Sequence, residues 1–358
     1  MKIRENVRIA ELTTMRLGGE ARFVLEVETP EDVPEAYRFA KERGLPTWVM
    51  GGGANTIGRD EGFDGVIIQN MLKGLFVLVD GVEVDVRNMG AAGLTGEIVL
   101  KGMGGEVWDD VVGFACANEY TGIEAMSKIP GTLGAAPVQN IGAYGQDVVQ
   151  VIEKVEAFDS KMGKFVTIEK KDMGLEYRRS RFNHGAEVGR YFIVAVTLRL
   201  KRGQLVPPFY NSLQRYIDEH GETDLTPEKI RKIVSTIRED KLPDPKIIAS
   251  AGSFFKNVYV DRAGAEQAEA KGIPVWRDAE GGGKINAGWL IEACGLKGKE
   301  LHGFRVSDKA ALVLINEHAQ SYADLARARE EITDSVFEKF GYRLEQEPVE
   351  IAPHEGDK

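Results

Sequence analysis

Residues 47–56, TWVMGGGANT, join a short predicted strand to three consecutive glycines. Because glycine adopts positive φ at little cost, such a run can turn several backbone N–H groups toward one anion. Asn55 and Thr56 end the stretch with polar side chains. The pattern favours a turn that binds a pyrophosphate, although a flexible turn without a ligand fits the same residues.

The familiar nucleotide and hydrolase motifs are missing from the sequence. After Gly51 and Gly53 the third position of a GxGxxG pattern is Thr56, and 283–285 (GKI) lacks the upstream glycine and the Ser or Thr of a P-loop. No GxSxG elbow occurs either. These absences disfavour a Rossmann dehydrogenase, a P-loop NTPase and an α/β-hydrolase.

A second glycine-rich stretch lies at 129–145, IPGTLGAAPVQNIGAYG, and carries no charged side chain. A long loop of this kind inside a compact domain is usually functional. Its small residues would let a flat ligand lie against the backbone. Gln139 and Asn140 could hydrogen-bond a heterocycle edge, and Tyr144 could stack on it. A tightly packed loop without a ligand is the alternative.

The flanking sequence alternates strands and helices in an α+β pattern. Periodicity and capping residues predict strands at 23–27, 47–50, 65–69, 82–86 and 191–200, and helices from Thr29 to about Arg43, at 108–118, from Thr226, at 287–293 and at 323–340. Turn-rich sequence near residues 70 and 205 suggests the domain boundaries.

Composition narrows the class of protein. The chain has 358 residues, a net charge of −10 and 41 glycines, about 11% against an average near 7%. The acidic balance disfavours a nucleic-acid partner, since such proteins need a basic surface. No apolar run is long enough for a bilayer and none begins the chain, so we expect a soluble, cytoplasmic protein without a membrane partner.

Cysteine and histidine usage disfavours metal or disulfide chemistry. Two cysteines cannot form a disulfide framework, and the five histidines lack the spacing of metal ligands. We therefore predict no metal site.

Three shorter segments carry candidate chemical groups. In 177–182, YRRSRF, three arginines could hold a carboxylate or phosphate, although a solvated edge is preferred for Arg179 and Arg181. In 251–257, AGSFFKN, Ser253 could donate a proton. Strand alternation predicts Ser253 and Phe255 on one face, and Phe254 and Lys256 on the other. The third segment, 344–348 (LEQEP), holds two acids.

Taken together, these segments resemble the UDP-N-acetylenolpyruvoylglucosamine reductases, which are also called UDP-N-acetylmuramate dehydrogenases. These are flavoenzymes of peptidoglycan precursor synthesis. The matching stretches occur in order over nearly the whole chain: 14–19 (TMRLGG), 51–55 (GGGAN), 129–145, YRxSxF at 177–182, RxxKLPDP at 238–245, 252–257 (GSFFKN), 287–292 (AGWLIE) with Gly298, 311–316 and 344–347.

The resemblance implies a fold with three parts. Two N-terminal α+β subdomains, 1–70 and 71–205, would form an FAD-binding unit of the vanillyl-alcohol-oxidase (PCMH) type. A C-terminal α+β domain, 206–350, would bind substrate, and a strand near 342–350 could return to the FAD unit. The tail, 351–358, is expected to be disordered.

The implied reaction passes hydride from NADPH to FAD N5, and then to C3 of the enolpyruvyl ether of UDP-N-acetylglucosamine. By position in the motifs, Ser253 matches the proton donor to C2, and Arg178 matches the residue that stabilises the enolate. Glu347 matches the assisting acid. The family's LEPE is LEQE here, however, and if the register slips Glu345 takes that role.

The resemblance also implies FAD and NADPH as cofactors and a small-molecule substrate, with the chain acting as a monomer. The implied cofactor-binding residues are Gly51, Gly52, Gly53, Ala54, Asn55, Thr56, Ile129, Pro130, Gly131, Thr132, Gly134, Ala135, Gly142, Tyr144, Arg178, Arg238 and Leu242. The implied substrate-binding residues are Tyr144, Tyr210, Lys241 and Asn257, and Tyr210 matches the tyrosine loop of one subgroup (type I).

Two other functions stay open. The chain could be another FAD-dependent oxidoreductase or oxidase of the same fold that acts on a sugar or an alcohol. It could also be a flavin- or nucleotide-binding protein without catalysis.

Overall fold

The computed structural model describes residues 1–88, 96–205 and 209–352. Its N-terminal unit is a four-stranded sheet in the order β1-β2-β5-β3, covered by one helix. The elements are β1 (Lys2–Arg8), β2 (Glu20–Val27), α1 (Asp32–Glu42), β3 (Thr47–Met50), β4 (Thr56–Ile57) and β5 (Phe63–Asn70). Strand β5 lies parallel to both β2 and β3, so the loop after β3 emerges at a carboxyl edge of the sheet.

The start of α1 differs from the prediction that placed its N-cap at Thr29. The helix begins at Asp32, whose carboxylate accepts the backbone N–H groups of Glu28 and Thr29, both at 3.0 Å. The Asp32 carboxylate therefore pairs backbone N–H groups that precede the helix, as the N3 acid of a capping box does.

The second unit is a seven-stranded antiparallel sheet in the order β13-β12-β14-β8-β6-β7, with β9 paired to β14. Its elements are β6 (Leu75–Val79), β7 (Val82–Asp85), β8 (Glu97–Met103), α2 (Trp108–Ala117), β9 (Tyr120–Thr121), β10 (Gly142–Ala143), β11 (Gln146–Asp147), β12 (Ile152–Asp159), β13 (Lys164–Glu169) and β14 (Tyr191–Arg202). The buried face of this sheet packs on α2 and on the glycine-rich loop, with Trp108 and Leu133 in the same core.

The last part of the chain is α+β, as the sequence predicted. Its elements are α3 (Asn211–His220), α4 (Pro227–Lys241), β15 (Ser250–Ser253), β16 (Val258–Val260), α5 (Arg262–Ala270), β17 (Val275–Arg277), β18 (Gly283–Ile285), α6 (Ala287–Ala293), β19 (Glu300–Leu301), β20 (Phe304–Val306), β21 (Val313–Asn316), α7 (Tyr322–Phe340) and β22 (Val349–Glu350). Helix α7 begins with a capping box between Ser321 and Asp324 and ends at Gly341, which has φ of 80°.

The C-terminal strand β22 returns to the N-terminal unit. It lies parallel to β4, with Val349 opposite Thr56, and the following Ile351 is buried in the N-terminal core. The expectation of a disordered tail from residue 351 was therefore wrong at its first residue, because Ile351 completes an apolar cluster. Residues 353–358 lie outside the described part of the chain.

Helices α3 and α4 pack against the second unit, although they follow the predicted boundary at residue 205. Ile230 and Ile233 of α4 share an apolar cluster with Leu213 of α3 and with Ala125. At its edge, Arg231 donates two hydrogen bonds to Asp109 of α2, at 2.6 and 3.0 Å. The limits at 70 and 205 stay a prediction, and this packing favours a later second boundary, between α4 and β15.

No helix within residues 1–88, 96–205 and 209–352 combines the length and the apolar character that a bilayer crossing requires.

The Asp109–Arg231 pair should stabilise the docking of α4 on α2. Burial raises the pKa of Asp109, but the hydrogen bonds from Arg231 and from the Lys128 N–H, together with the charges of Arg231 and Lys128, outweigh it and hold that pKa below its usual value. Asp109→Asn should lower the free energy of unfolding by about 2 kcal/mol at pH 7. A carboxyl group whose pKa is lowered on folding contributes its full stability above its unfolded pKa and loses that contribution as the pH falls toward its folded pKa. The difference in stability between the wild type and Asp109→Asn should therefore shrink as the pH falls below about 4.

Thermal unfolding from pH 3 to pH 8 measures this difference. Asp110→Asn is the control, since that exposed neighbour lies in the same first turn of α2. Equal effects of the two variants would contradict a specific contact between the helices.

Candidate functional site

A cavity of about 520 Å³ opens where the three parts of the chain meet. Backbone from the two glycine-rich stretches forms much of its wall, and Arg178 and Glu347 add charged side chains. Of the residues predicted to bind cofactor, the cavity is lined by Gly51, Gly52, Gly53, Ala54, Asn55, Thr56, Ile129, Pro130, Gly131, Thr132, Gly134, Ala135 and Arg178. The structure thus joins two glycine-rich stretches whose nearest lining residues, Thr56 and Ile129, are 73 positions apart in sequence.

The first glycine stretch is a turn in which side chains would not fit. Gly53 has φ of 65°, and a Cβ there would lie 1.9 Å from the carbonyl oxygen of Leu12. A Cβ on Gly51 would lie 2.3 Å from Thr132 Oγ1. Because side chains are excluded, bare backbone faces the cavity, which fits a pyrophosphate held by N–H groups.

The second glycine stretch is tied to the first by one side-chain contact. Asn55 Nδ2 donates to Gln139 Oε1 at 2.6 Å, and this hydrogen bond fixes the two glycine-rich stretches relative to each other. Asn140, which we expected to contact a heterocycle, is instead a structural residue. Its side-chain amide donates to the Glu176 carbonyl and accepts from the Val149 N–H, so both polar atoms of the side chain are already engaged within the protein.

Arg178 is held rigidly at the cavity wall. Its Nη2 donates to the Gly142 carbonyl at 2.9 Å and its Nη1 to the Asn140 carbonyl at 3.3 Å. Its φ of 52° is unusual for a residue with a side chain. Strain of this kind persists only where the surroundings fix it, and it often marks a functional position.

Glu347 is the acid that faces Arg178. Its Oε1 lies 2.9 Å from Arg178 Nε, and its side chain is only 11% exposed. Burial raises the pKa of Glu347, and the charge of Arg178 opposes that rise. Glu345 is different, because its side chain is 74% exposed and pairs with Lys256. The geometry therefore favours Glu347 over Glu345 as the acid beside Arg178.

Ser253 ends strand β15 next to the segment that carries Glu347. Phe254, the following residue, accepts the Glu347 N–H at 2.8 Å, and Phe255 pairs with Gln346 in an antiparallel bridge. The predicted alternation of this stretch was wrong, because Phe254 and Phe255 are both buried. Regular strand geometry ends at Ser253, so each phenylalanine can enter the core.

A second cavity, of about 630 Å³, adjoins the first and shares Arg178, Lys256 and Glu345 with it. Asn257 lies in its wall, where its amide donates to Tyr177 Oη at 3.3 Å and accepts the Ala287 N–H at 3.1 Å. This side chain is therefore already oriented by the protein.

Four predicted residues, Tyr144, Tyr210, Arg238 and Lys241, line neither of these cavities. Tyr144 contacts Tyr210 edge to face, with ring centroids 6.1 Å apart. Arg238 lies near Tyr144, and Lys241 ends the same helix, α4. Gly142, Leu242 and Ser253 are also absent from both linings. Gly142 instead supplies the carbonyl that holds Arg178.

Arg238 is a half-buried cation that has no carboxylate partner in the described part of the chain. Its Nε atom is buried and has no hydrogen-bond acceptor, and burial lowers its pKa. Among the residues that the structure describes, no carboxylate forms an ion pair with it. A buried charge left unpaired by the protein is costly, which fits an anionic ligand at this place.

Two groups of the site escaped the sequence analysis. Lys284 Nζ lies 5.2 Å from the Trp276 ring and 5.7 Å from the Tyr177 ring, and burial lowers its pKa. Burial raises the pKa of Asp147 nearby, with Arg178 and Lys284 opposing the rise. In the sequence, Lys284 stands out only as part of the incomplete P-loop pattern at 283–285, and nothing local indicates that either residue lies near Arg178.

Comparisons with known proteins match both halves of this arrangement. A family model described as the C-terminal domain of UDP-N-acetylenolpyruvoylglucosamine reductase matches residues 244–351. A model described as an FAD binding domain matches residues 21–169. The two matches contain the C-terminal segment with Glu347 and both glycine-rich stretches.

Full-length relatives carry the name of the same reductase. The protein from Ralstonia nicotianae is 37% identical over 343 residues, which cover 94% of this chain and 96% of that one. The protein from Pseudomonas aeruginosa is 32% identical over 354 residues, which cover 97% and 98%. A crystal structure of the reductase from Thermus caldophilus has the same fold, with a TM-score of 0.63, 22% identity and coverage of 98% and 100%.

Gly53 should be intolerant of any side chain. Gly53→Ala would force its Cβ against the Leu12 carbonyl, so we expect a lower melting temperature and loss of bound FAD during gel filtration. Gly163→Ala is the matched control, because Gly163 has φ of 64° with no atom within 4 Å of its Cβ position. The control should lose about 1–2 kcal/mol from the left-handed conformation alone and keep its FAD. Equal FAD loss in both variants would contradict a specific role of the turn.

Proposed function

The chain belongs to the UDP-N-acetylenolpyruvoylglucosamine reductase family, and on that premise we propose that it reduces the enolpyruvyl ether of UDP-N-acetylglucosamine to UDP-N-acetylmuramate. Members of this family are oxidoreductases of peptidoglycan precursor synthesis that use FAD and NADPH. The finer proposal is that NADPH is the reductant, that the hydride reaches C3, that C2 is then protonated, and that the chain works as a monomer.

The proposed cofactor site is the cavity between the two glycine-rich stretches. Backbone of 51–56 would hold the pyrophosphate, and backbone of 129–135 would lie against the ring system. The excluded side chains at Gly51 and Gly53 support this assignment. When bound, FAD supplies the hydride transfer between NADPH and the substrate.

We assign Arg178 to the negative charge that develops on the substrate. Reduction at C3 leaves an enolate whose charge spreads into the carboxylate. Two backbone carbonyls fix the guanidinium of Arg178 in advance, so it need not reorganise as the charge forms. Preorganised charge of this kind is usually the largest single contribution to catalysis.

We assign Ser253 as the proton donor to C2 and Glu347 as the acid that assists it. A serine hydroxyl is a weak acid, so its neighbours must help it lose the proton. Glu347 faces Arg178 and is bound through its backbone to the residue after Ser253. Because burial raises its pKa, Glu347 can hold a proton closer to neutral pH than an exposed glutamate can.

The remaining substrate assignments concern its nucleotide part. We propose that Tyr210, Lys241, Asn257 and Tyr144 hold the UDP group, with Tyr210 closing over the diphosphate. The second cavity, which contains Asn257, adjoins the proposed cofactor cavity through Arg178. Arg238 and Leu242 are proposed to complete the cofactor site, and the unpaired guanidinium of Arg238 supports an anion there.

One observation carries the proposal. Residues 345–347 lie antiparallel to residues 254–256, so Glu347, which faces Arg178 at the wall of the glycine-lined cavity, is hydrogen-bonded to the residue that follows Ser253. These groups come from three separate parts of the chain, and a protein that merely binds flavin would not need them together.

The purified protein should be yellow, and NADPH should bleach it under anaerobic conditions. Addition of the enolpyruvyl substrate should then restore the oxidised flavin spectrum much faster than O₂ does. Stopped-flow absorbance at the flavin band separates these two half-reactions. A colourless protein would overturn the proposal, and rapid reoxidation by O₂ without the substrate would favour the oxidase alternative.

Ser253→Ala should slow the second half-reaction by about 10²- to 10⁴-fold, because the oriented proton donor is lost. Flavin reduction by NADPH should stay unchanged, since no proton from Ser253 is needed there. Ser335→Ala is the control, because that exposed hydroxyl donates to the Glu331 carbonyl within α7. If Ser253→Ala leaves reoxidation by substrate at the wild-type rate, Ser253 is not the donor.

A further inference from the structure

The segment that carries Glu347 is held by an arginine from the long helix α7. Arg329 Nη1 donates to Gln346 Oε1 at 2.7 Å and to Glu350 Oε1 at 2.8 Å. One guanidinium nitrogen thus binds residues on both sides of Glu347. Arg329 itself lines neither of the two cavities.

Gln346 extends this contact across Glu347. While its Oε1 accepts from Arg329, its Nε2 donates to the Pro348 carbonyl at 2.7 Å. The amide therefore closes a small ring of backbone that contains Glu347. Because both ends of the amide are used, the backbone on either side of Glu347 has little freedom to turn.

Glu350 ties the same arginine to the N-terminal unit. Its carboxylate also accepts from Arg59, at 2.9 and 2.5 Å, and from Tyr322 Oη at 2.7 Å. Burial raises the pKa of Glu350, but these donors and Arg329 outweigh it and hold that pKa below its usual value. The carboxylate thus stays charged at neutral pH and keeps the segment anchored.

We propose that Arg329 is a positioning residue for Glu347: through Gln346 and Glu350 it fixes the backbone from which the Glu347 carboxylate reaches Arg178. This inference rests on the proposed function, because it assumes that Glu347 assists the second half-reaction. Helix α7 thereby acts on the reaction from outside the cavity.

Arg329→Gln should slow reoxidation of the reduced flavin by the enolpyruvyl substrate by about 10- to 100-fold, the usual cost of a small misplacement of a reacting group. Flavin content and the rate of flavin reduction by NADPH should stay within twofold of wild type, which a general loss of structure would not allow. Arg327→Gln is the matched control, because Arg327 lies on the same helix and its ion pair within the described residues is with Asp324, away from the Glu347 segment. Arg329→Lys should recover part of the rate.

A double-mutant cycle with Glu347→Gln tests whether Arg329 acts through that acid. In the Glu347→Gln background, Arg329→Gln should cause less than a twofold further loss, whereas independent effects would multiply. Gln346→Ala provides a second route to the same result without removing a charge, and it should reproduce the loss if Arg329→Gln folds poorly.

The outcomes separate the two proposals. If Glu347→Gln leaves the second half-reaction unchanged, the proposed role of Glu347 fails. If Glu347→Gln slows it but Arg329→Gln and Gln346→Ala do not, or if their losses multiply with that of Glu347→Gln, the positioning role of Arg329 is overturned and the proposed function stands.

Discussion

Everything at the site depends on one strip of backbone, residues 345–351, whose two halves are hydrogen-bonded to different parts of the fold. In the first half, Glu345 accepts the Lys256 N–H and Glu347 donates to the Phe254 carbonyl. In the second half, Val349 and Ile351 donate to the carbonyls of Asn55 and Ile57, just beyond the glycine turn. Backbone groups left unpaired in a protein interior are costly, so these hydrogen bonds are stable. The strip thereby fixes residues 254–256 relative to residues 55–57, and the shape of the cavity that it helps to line depends on both sets of bonds.

The linings of the two cavities are less acidic than the chain as a whole. The whole chain has a net charge of −10, whereas the two linings together contain four cations and four carboxylates: Arg178, Arg179, Lys256 and Arg343, and Glu176, Glu345, Glu347 and Glu350. Arg178 is balanced by Glu347, whereas Arg238 has no carboxylate partner among the described residues. The Arg178–Glu347 pair keeps a fixed cation beside an acid that can take up a proton. Arg238 leaves a positive charge that an anionic ligand can neutralise. An acidic protein can bind an anionic nucleotide sugar in this way without a basic surface.

The sequence predicted most of what depends on local patterns. The limits of helix α6 were predicted correctly, and both glycine-rich stretches line the same cavity. Failures occur where contacts distant in sequence decide the outcome. Asn140 is hydrogen-bonded to Glu176 and Val149, and the stretch after Ser253 loses its alternation because Phe254 and Phe255 are both buried in the same C-terminal core. The choice between Glu345 and Glu347 needed the register against 254–256, and Lys284 and Arg329 carry no local signal at all.

The two sets of hydrogen bonds made by residues 345–351 also affect the order in which the cavity forms during synthesis. Asn55 and Glu347 are 292 positions apart, yet the amide of one binds the carbonyl of the other. During synthesis the N-terminal units can fold as they emerge, because their strands pair with near neighbours. The cavity gains its last wall only after residues 345–351 have left the ribosome. A nascent chain therefore keeps the glycine turn open on this side until those residues have been made.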